Sequence, residues 1–283
     1  MERSSISRLI LPLVLCLLLG GCMTVDVRLS DFMIPDHAPR MATLARGYAV
    51  QDLIIHRGGR LIGITHAHHP DSEAIIVYCG GNAFRRSVAG GTALEALARG
   101  ADVILFDYPG YGESTGTPDA AVILETALAV YDYAENLATS AGKKRVLYGF
   151  SLGGLVAAQV ARDRAVTGLV LEASAPSVES WARTQIPWFA KPWVTARIEA
   201  GLAAIDSATA LEEFHGRVLL LASASDVQAP AALSEQLHSS LRRAGVDVEL
   251  AQFRDAPHGH IPHSAAFAPT LRKFLQRLEA PQQ

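Results

Sequence analysis

Arg145-Val146-Leu147-Tyr148-Gly149-Phe150-Ser151-Leu152-Gly153-Gly154-Leu155-Val156-Ala157-Ala158 is the stretch on which the reading of this sequence turns. It begins as a short apolar strand and ends as a run of small residues suited to a closely packed helix. Between the two stands Gly149-Phe150-Ser151-Leu152-Gly153, a G-x-S-x-G pattern. The pattern alone matches often by chance. A strand running in and a helix running out give it the setting of a nucleophile elbow. The serine of such a turn sits at its tip in a strained conformation, and its neighbours must be small to avoid colliding, as Gly149 and Gly153 are. Helix amides then point at the place where an oxyanion develops, and the helix dipole favours negative charge there. Ser151 is the candidate nucleophile. The competing reading is a glycine-rich turn in some other α/β fold.

Outward from the elbow, short apolar runs alternate with longer helical patterns. Residues 48–56 and 61–67 read as strands joined by Arg57-Gly58-Gly59-Arg60, an antiparallel hairpin. Residues 74–79 form a buried strand, 84–99 a helix ending at Gly100, and 102–106 the next strand. Thr117 is placed to cap a helix with Pro118 at its first position. Further strands are expected at 145–150, 167–172, 217–222 and 246–253, and helices at 152–162, 229–244 and 264–279. This order implies a mainly parallel sheet covered on both faces, in one domain.

In a sheet that carries such an elbow, the acid and the base follow the serine in the order Asp or Glu, then His. Asp226 stands in the loop after the strand that ends at Ala222, at the strand end where ligands bind in open α/β sheets. A lone loop aspartate would read as a cap or a solvated charge, and its place in the order argues otherwise. After the last strand, Asp255-Ala256-Pro257-His258-Gly259-His260 offers His258 as the base, with His260 as runner-up and His263 expected at the start of the final helix. Upstream, Cys79-Gly80-Gly81-Asn82-Ala83 follows the third strand. Its glycines let the backbone approach a substrate carbonyl, so the Asn82 amide is expected to pair with that of Leu152 as an oxyanion hole. A tight turn without a catalytic role is the alternative.

Ile76-Val77-Tyr78-Cys79-Gly80-Gly81-Asn82-Ala83, Phe106-Asp107-Tyr108-Pro109-Gly110-Tyr111-Gly112-Glu113-Ser114 and the elbow together resemble the α/β-hydrolases, in particular the BEM46-like serine hydrolases. The resemblance spans about residues 48 to 279. It implies the α/β-hydrolase fold, with a mainly parallel eight-stranded sheet, helices on both faces and a small cap or none. It implies a Ser151-Asp226-His258 triad acting without a cofactor on a small-molecule or lipid-like ester or thioester. Gly80 stands where the family carries His, Pro109 where it carries Arg, and Ser223 where it carries Gly.

With 283 residues and a formal net charge of -3, the chain has no basic excess with which to bind nucleic acid. Its N-terminus reads as an address. Arg3 and Arg8 precede an apolar run from Leu9 to Leu19, then Gly20, Gly21 and Cys22. The run is short for a membrane span, which needs roughly 20 apolar residues. Leu19-Gly20-Gly21-Cys22 resembles the bacterial lipobox, which implies cleavage before Cys22 and a lipid anchor on its sulfur. An uncleaved signal anchor is the alternative. The organisation expected is a signal peptide over 1–21, a tether over 22–45 and the hydrolase domain over 46–283, a monomer in the bacterial cell envelope. No Asp follows Cys22, which points to the outer membrane rather than the inner.

Residues 174–213 hold Trp181, Trp188, Phe189 and Trp193 where caps are inserted in this fold, and read equally as a cap or as a helix packed on the sheet. Tyr108 and Tyr111 read equally as lining the mouth of the site or as packing. His66-Ala67-His68-His69-Pro70-Asp71 departs from metal-hydrolase spacing, with Pro where an Asp belongs, and no metal is assigned to it. Two rivals remain: a catalytically silent binding lipoprotein on the same fold, and a metal-dependent hydrolase using His66 and His68.

Overall fold

The computed structural model describes residues 23–33, 47–82 and 84–278. The signal peptide, Cys22 and the rest of the expected tether, residues 34–45, lie outside them. Residues 23–33 are no tether. Strand β1 (Met23–Val27) is paired, and Leu29 and Met33 are buried in the core. Burial of these two apolar side chains, with the Leu29 amide donating to Glu199 at 2.8 Å, holds the segment on the domain.

Strands β2 (Ala49–Arg57) and β3 (Arg60–His68) form the expected hairpin. Gly58 and Gly59 take φ of 55° and 74°, the left-handed pair that a two-residue type I′ turn requires. Then follow β4 (Ala74–Cys79), α1 (Arg86–Leu97), β5 (Asp102–Phe106) and α2 (Ala120–Ala141). Helix α2 starts later than its sequence suggests. Asp119, not Thr117, is the cap, because its carboxylate accepts from the amides of both Ala121 and Val122. The elbow unit is β6 (Lys144–Phe150) and α3 (Leu152–Asp163), followed by β7 (Gly168–Glu172). An insertion holds α4 (Val178–Gln185), β8 (Val194–Ile198), α5 (Ala200–Ala203) and α6 (Ser207–Ala210), so the segment is a small cap. The chain closes with β9 (Arg217–Ser223), α7 (Ala231–Ala244), β10 (Val248–Phe253) and α8 (Phe267–Arg277). His263 lies in a 3-10 turn ahead of α8 rather than at its start.

The main sheet has eight strands in the order β10-β9-β7-β6-β4-β5-β3-β2. Only the pairings of β3 with its two neighbours are antiparallel. Alternate residues of each strand face opposite sides. In β4, Ile75 and Val77 join one core cluster, with α2, α3 and α7, while Ala74 and Ile76 join the other, with α1 and α8. The strand order reverses between β4 and β6, and in an open α/β sheet the crevice beyond the strand ends at such a switch is where ligands bind. The loops after these two strands carry Asn82 and Ser151.

Candidate active site

Ser151 has φ 54° and ψ −119°, a conformation uncommon for a residue with a side chain. Its amide donates to the Glu172 carbonyl at 2.9 Å and its carbonyl accepts from Gly154 at 2.9 Å, and these two bonds hold the tip of the turn. The glycines around it are required by space. A Cβ at Gly149 would stand 2.5 Å from the Gly153 carbonyl oxygen, and one at Gly153 would run into the carbonyls of Cys79 and Gly80. The β4 loop and the elbow are therefore in backbone contact, which is possible only without side chains there.

The carboxylate of Asp226 is buried and fully supplied with donors. Its Oδ1 accepts from the amides of Gln228 and Ala229 at 2.9 and 2.8 Å, and its Oδ2 lies 2.7 Å from His258 Nδ1. A carboxylate only accepts, so Nδ1–H donates and Nε2 is left as the free, basic nitrogen. The His258 ring lies against Phe150, 4.9 Å between centroids. His258, Ser151, Leu152 and Asn82 line one pocket of about 100 Å³. His260 is not among the residues that line it. It is exposed, with Nδ1 3.0 Å from the His258 carbonyl and its ring against His263.

The rest of the pocket wall is mostly apolar: Leu155, Ala173 and Ala175 from the sheet side, Val178, Trp181 and Leu202 from the cap, and Phe32 from the N-terminal segment. Sequence reasoning missed Phe32, which meets Trp181 edge-on at 5.2 Å. It also left open the two tyrosines of the β5 loop. Both are buried, and their hydroxyls brace the loop after β4: Tyr108 donates to the Gly80 carbonyl at 3.0 Å and Tyr111 to the Asn82 carbonyl at 2.9 Å. Gly80 has a local cause as well. A side chain there would strike the ring of Phe84, so this loop has no room for one without moving that ring.

Two buried acids, Glu172 and Asp102, differ in their surroundings. Glu172, at the end of β7, is the group sequence reasoning overlooked, because a lone acid ending an apolar strand gives no signal. Burial pushes its carboxyl up to about 7; the Tyr148 hydroxyl, donating at 2.6 Å, opposes this and the charge of Asp226 adds to it. Asp102, at the start of β5, lies at the opposite end of the sheet from the elbow. Burial would raise its pKa, but His66, 3.8 Å away, and the hydrogen bonds donated by Lys143, Ser72 and the His69 amide outweigh that and hold it well below the carboxylate range. His66 and His68 do meet Asp102 closely enough to resemble a metal site. Lys143 already supplies the cation, with its ammonium 2.8 Å from Asp102. Cys79 is buried, and burial pushes its thiol up to about 12, out of the range of a reactive thiolate.

Residues 75–255 match the sequence pattern of the alpha/beta hydrolase fold family. An uncharacterized protein of Mycobacterium tuberculosis is 30% identical over 193 residues, 67% of this chain and 66% of its own length. The chain thus spans just under two thirds of that relative. A pimeloyl-[acyl-carrier protein] methyl ester esterase of Sodalis glossinidius is 45% identical over 74 residues, 25% of this chain and 26% of that protein. Among solved structures, an esterase of Pyrococcus furiosus superposes with a TM-score of 0.67 at 18% identity, covering 87% of this chain and 98% of that one. Carboxyl esterase 2 of Tuber melanosporum gives 0.65 at 17% identity, covering 87% and 92%. At these identities the structures speak for the fold alone.

Proposed function

The chain belongs to the α/β-hydrolase fold family, and from that premise we propose that it is a serine hydrolase that cleaves an ester or thioester through an acyl-enzyme. The observation that carries this reading is the convergence of an elbow serine and a carboxylate-bound histidine on one pocket. The serine hydroxyl attacks the substrate carbonyl, and His258 Nε2 takes its proton as the C–O bond forms. Asp226, by accepting from Nδ1–H, keeps the proton off Nε2 beforehand and stabilises the imidazolium afterwards. The amides of Leu152 and Asn82 receive the oxyanion. Collapse expels the alcohol or thiol, which takes the proton from His258. Water, deprotonated by the same nitrogen, then attacks the acyl-enzyme, releases the acid and returns the proton to Ser151.

The apolar wall of Leu155, Val178, Trp181 and Phe32 favours an acyl chain over a charged group. The lipobox-like Leu19-Gly20-Gly21-Cys22 supports a second part of the proposal: the protein is a lipoprotein anchored through Cys22 in the bacterial envelope, at the outer membrane. Labelling with a fluorophosphonate probe tests the first part. Wild type should label, and Ser151→Ala should not; equal labelling of both sinks the serine mechanism. A panel of esters of graded acyl length, with Ser151→Ala as the blank, then defines the substrate. Activity lost to chelators and regained with zinc would favour the metal-dependent rival.

A further inference from the structure

All three tryptophans of the chain fall in the cap, and their surroundings differ. Trp181 is held: its ring packs on Phe32 and its indole N–H donates to the Gln228 carbonyl at 2.9 Å. Trp188 and Trp193 are left in solvent, 82% and 43% exposed, with Phe189 between them at 47%. Residues 187–193 form one turn, in which Ala190 donates to the Pro187 carbonyl and Trp193 to that of Ala190. The rings of Trp188 and Phe189 meet edge-on at 5.9 Å, and exposed Lys191 completes the turn. A single exposed apolar residue is ordinary. Three aromatic rings and a lysine in one tight turn have the composition of a surface that rests in the interface of a bilayer, where indoles sit at headgroup level and cations meet phosphate.

The N-terminus indicates what covers this turn. The Met23 amide donates to the Trp193 carbonyl at 2.7 Å, and β1 pairs Met23 with Val194. The residue bonded to Met23 is Cys22. Consecutive Cα atoms are about 3.8 Å apart, so a membrane that holds Cys22 comes within about 10 Å of Trp193. We infer that the turn 187–193 is a bilayer-docking surface, with Trp188, Phe189 and Trp193 in the boundary between headgroups and acyl chains and Lys191 at the lipid phosphates. The inference rests on the lipoprotein reading above. It also narrows the substrate class. Helix α4, which supplies Val178 and Trp181 to the pocket, leads directly into this turn, so the pocket is held against the lipid phase and takes esters dissolved in it.

Tryptophan emission reports on the cap alone, which makes the test direct. The full lipoprotein is reconstituted into vesicles of phosphatidylethanolamine and phosphatidylglycerol, with and without brominated acyl chains. Wild-type emission should fall at least twofold on brominated vesicles, and access to acrylamide should drop by at least half on reconstitution. Both effects should vanish in Trp188→Phe/Trp193→Phe, whose exposed positions leave the fold intact and Trp181 as the remaining reporter. A protein that floats with the vesicles but keeps full acrylamide access, or is quenched equally in the double variant, overturns the inference alone. Protection from acrylamide without bromine quenching points to a protein partner and overturns it too. A protein that does not float with the vesicles overturns the lipoprotein reading and this inference with it.

Discussion

Replacing Asp226 by asparagine changes one atom and should stop the proposed reaction. The Oδ1 position accepts from two amides, those of Gln228 and Ala229, so the amide oxygen of an asparagine must take it. Its NH2 then faces His258 Nδ1, 2.7 Å from the position Oδ2 holds now. An NH2 donates, so Nδ1 must become the acceptor and the ring proton moves to Nε2, the nitrogen that has to receive the proton of Ser151. The same exchange in a Ser-His-Asp protease lowers kcat about 10⁴-fold, or about 5 kcal/mol of barrier. A loss of 10³- to 10⁴-fold in kcat/KM is expected here on a short p-nitrophenyl ester, with a parallel loss in the rate of fluorophosphonate labelling. The hydrogen-bond count around residue 226 is preserved, so unfolding free energy should change by less than about 1.5 kcal/mol. An Asp226→Asn protein that stays folded and keeps activity within tenfold of wild type refutes the assigned role of this carboxylate.

Three other outcomes follow from the site. His258→Ala should lose at least 10³-fold in activity and His260→Ala less than threefold, since only His258 meets Asp226 and lines the pocket; the reverse ranking would move the base to His260. Tyr111→Phe removes the hydroxyl that holds the Asn82 carbonyl, and should lower kcat several-fold at nearly constant KM while costing about 1 kcal/mol of stability; an unchanged kcat would free the loop from this brace. Glu172 has a folded pKa of about 7 against an ordinary 4.5, so the folded state binds the extra proton between these values and stability falls as pH rises from about 4.5 to 7, by roughly 3 kcal/mol. Glu172→Gln keeps an acceptor for Tyr148 without the charge, and thermal melts at pH 5 and pH 8 should show a smaller decline than wild type; an equal decline in both proteins rules Glu172 out as its source.

What could be read from the sequence is what local pattern encodes. Buried parallel strands such as 145–150 appear as unbroken apolar runs, the Gly58-Gly59 turn declares its hairpin, and the spacing of strands put Asp226 and His258 after Ser151. Ser151 and His258 line one pocket, and Asp226 meets His258 at Nδ1. What escaped depends on contacts between distant segments. Strand β1 is short, carries Asp26 and is only partly buried, so nothing in its own pattern separates it from a linker. The bracing tyrosines and Phe32 act through contacts with other loops. Asp102 is far in sequence from the histidines it meets. Helix α2 is capped by Asp119 rather than by the expected Thr117, because its carboxylate satisfies two amides at once.

The parallel seam between β1 and β8 also bears on how the molecule assembles. Its two strands, and the Leu29–Glu199 contact beside it, join residues some 170 positions apart. Parallel pairing over such a separation must close a long loop before it gains any contact, which makes it slow and late. The main sheet can nucleate from its local β–α units, while β1 waits unpaired for a distant partner. Until that seam forms, Phe32 is not delivered to Trp181 and one wall of the pocket is missing.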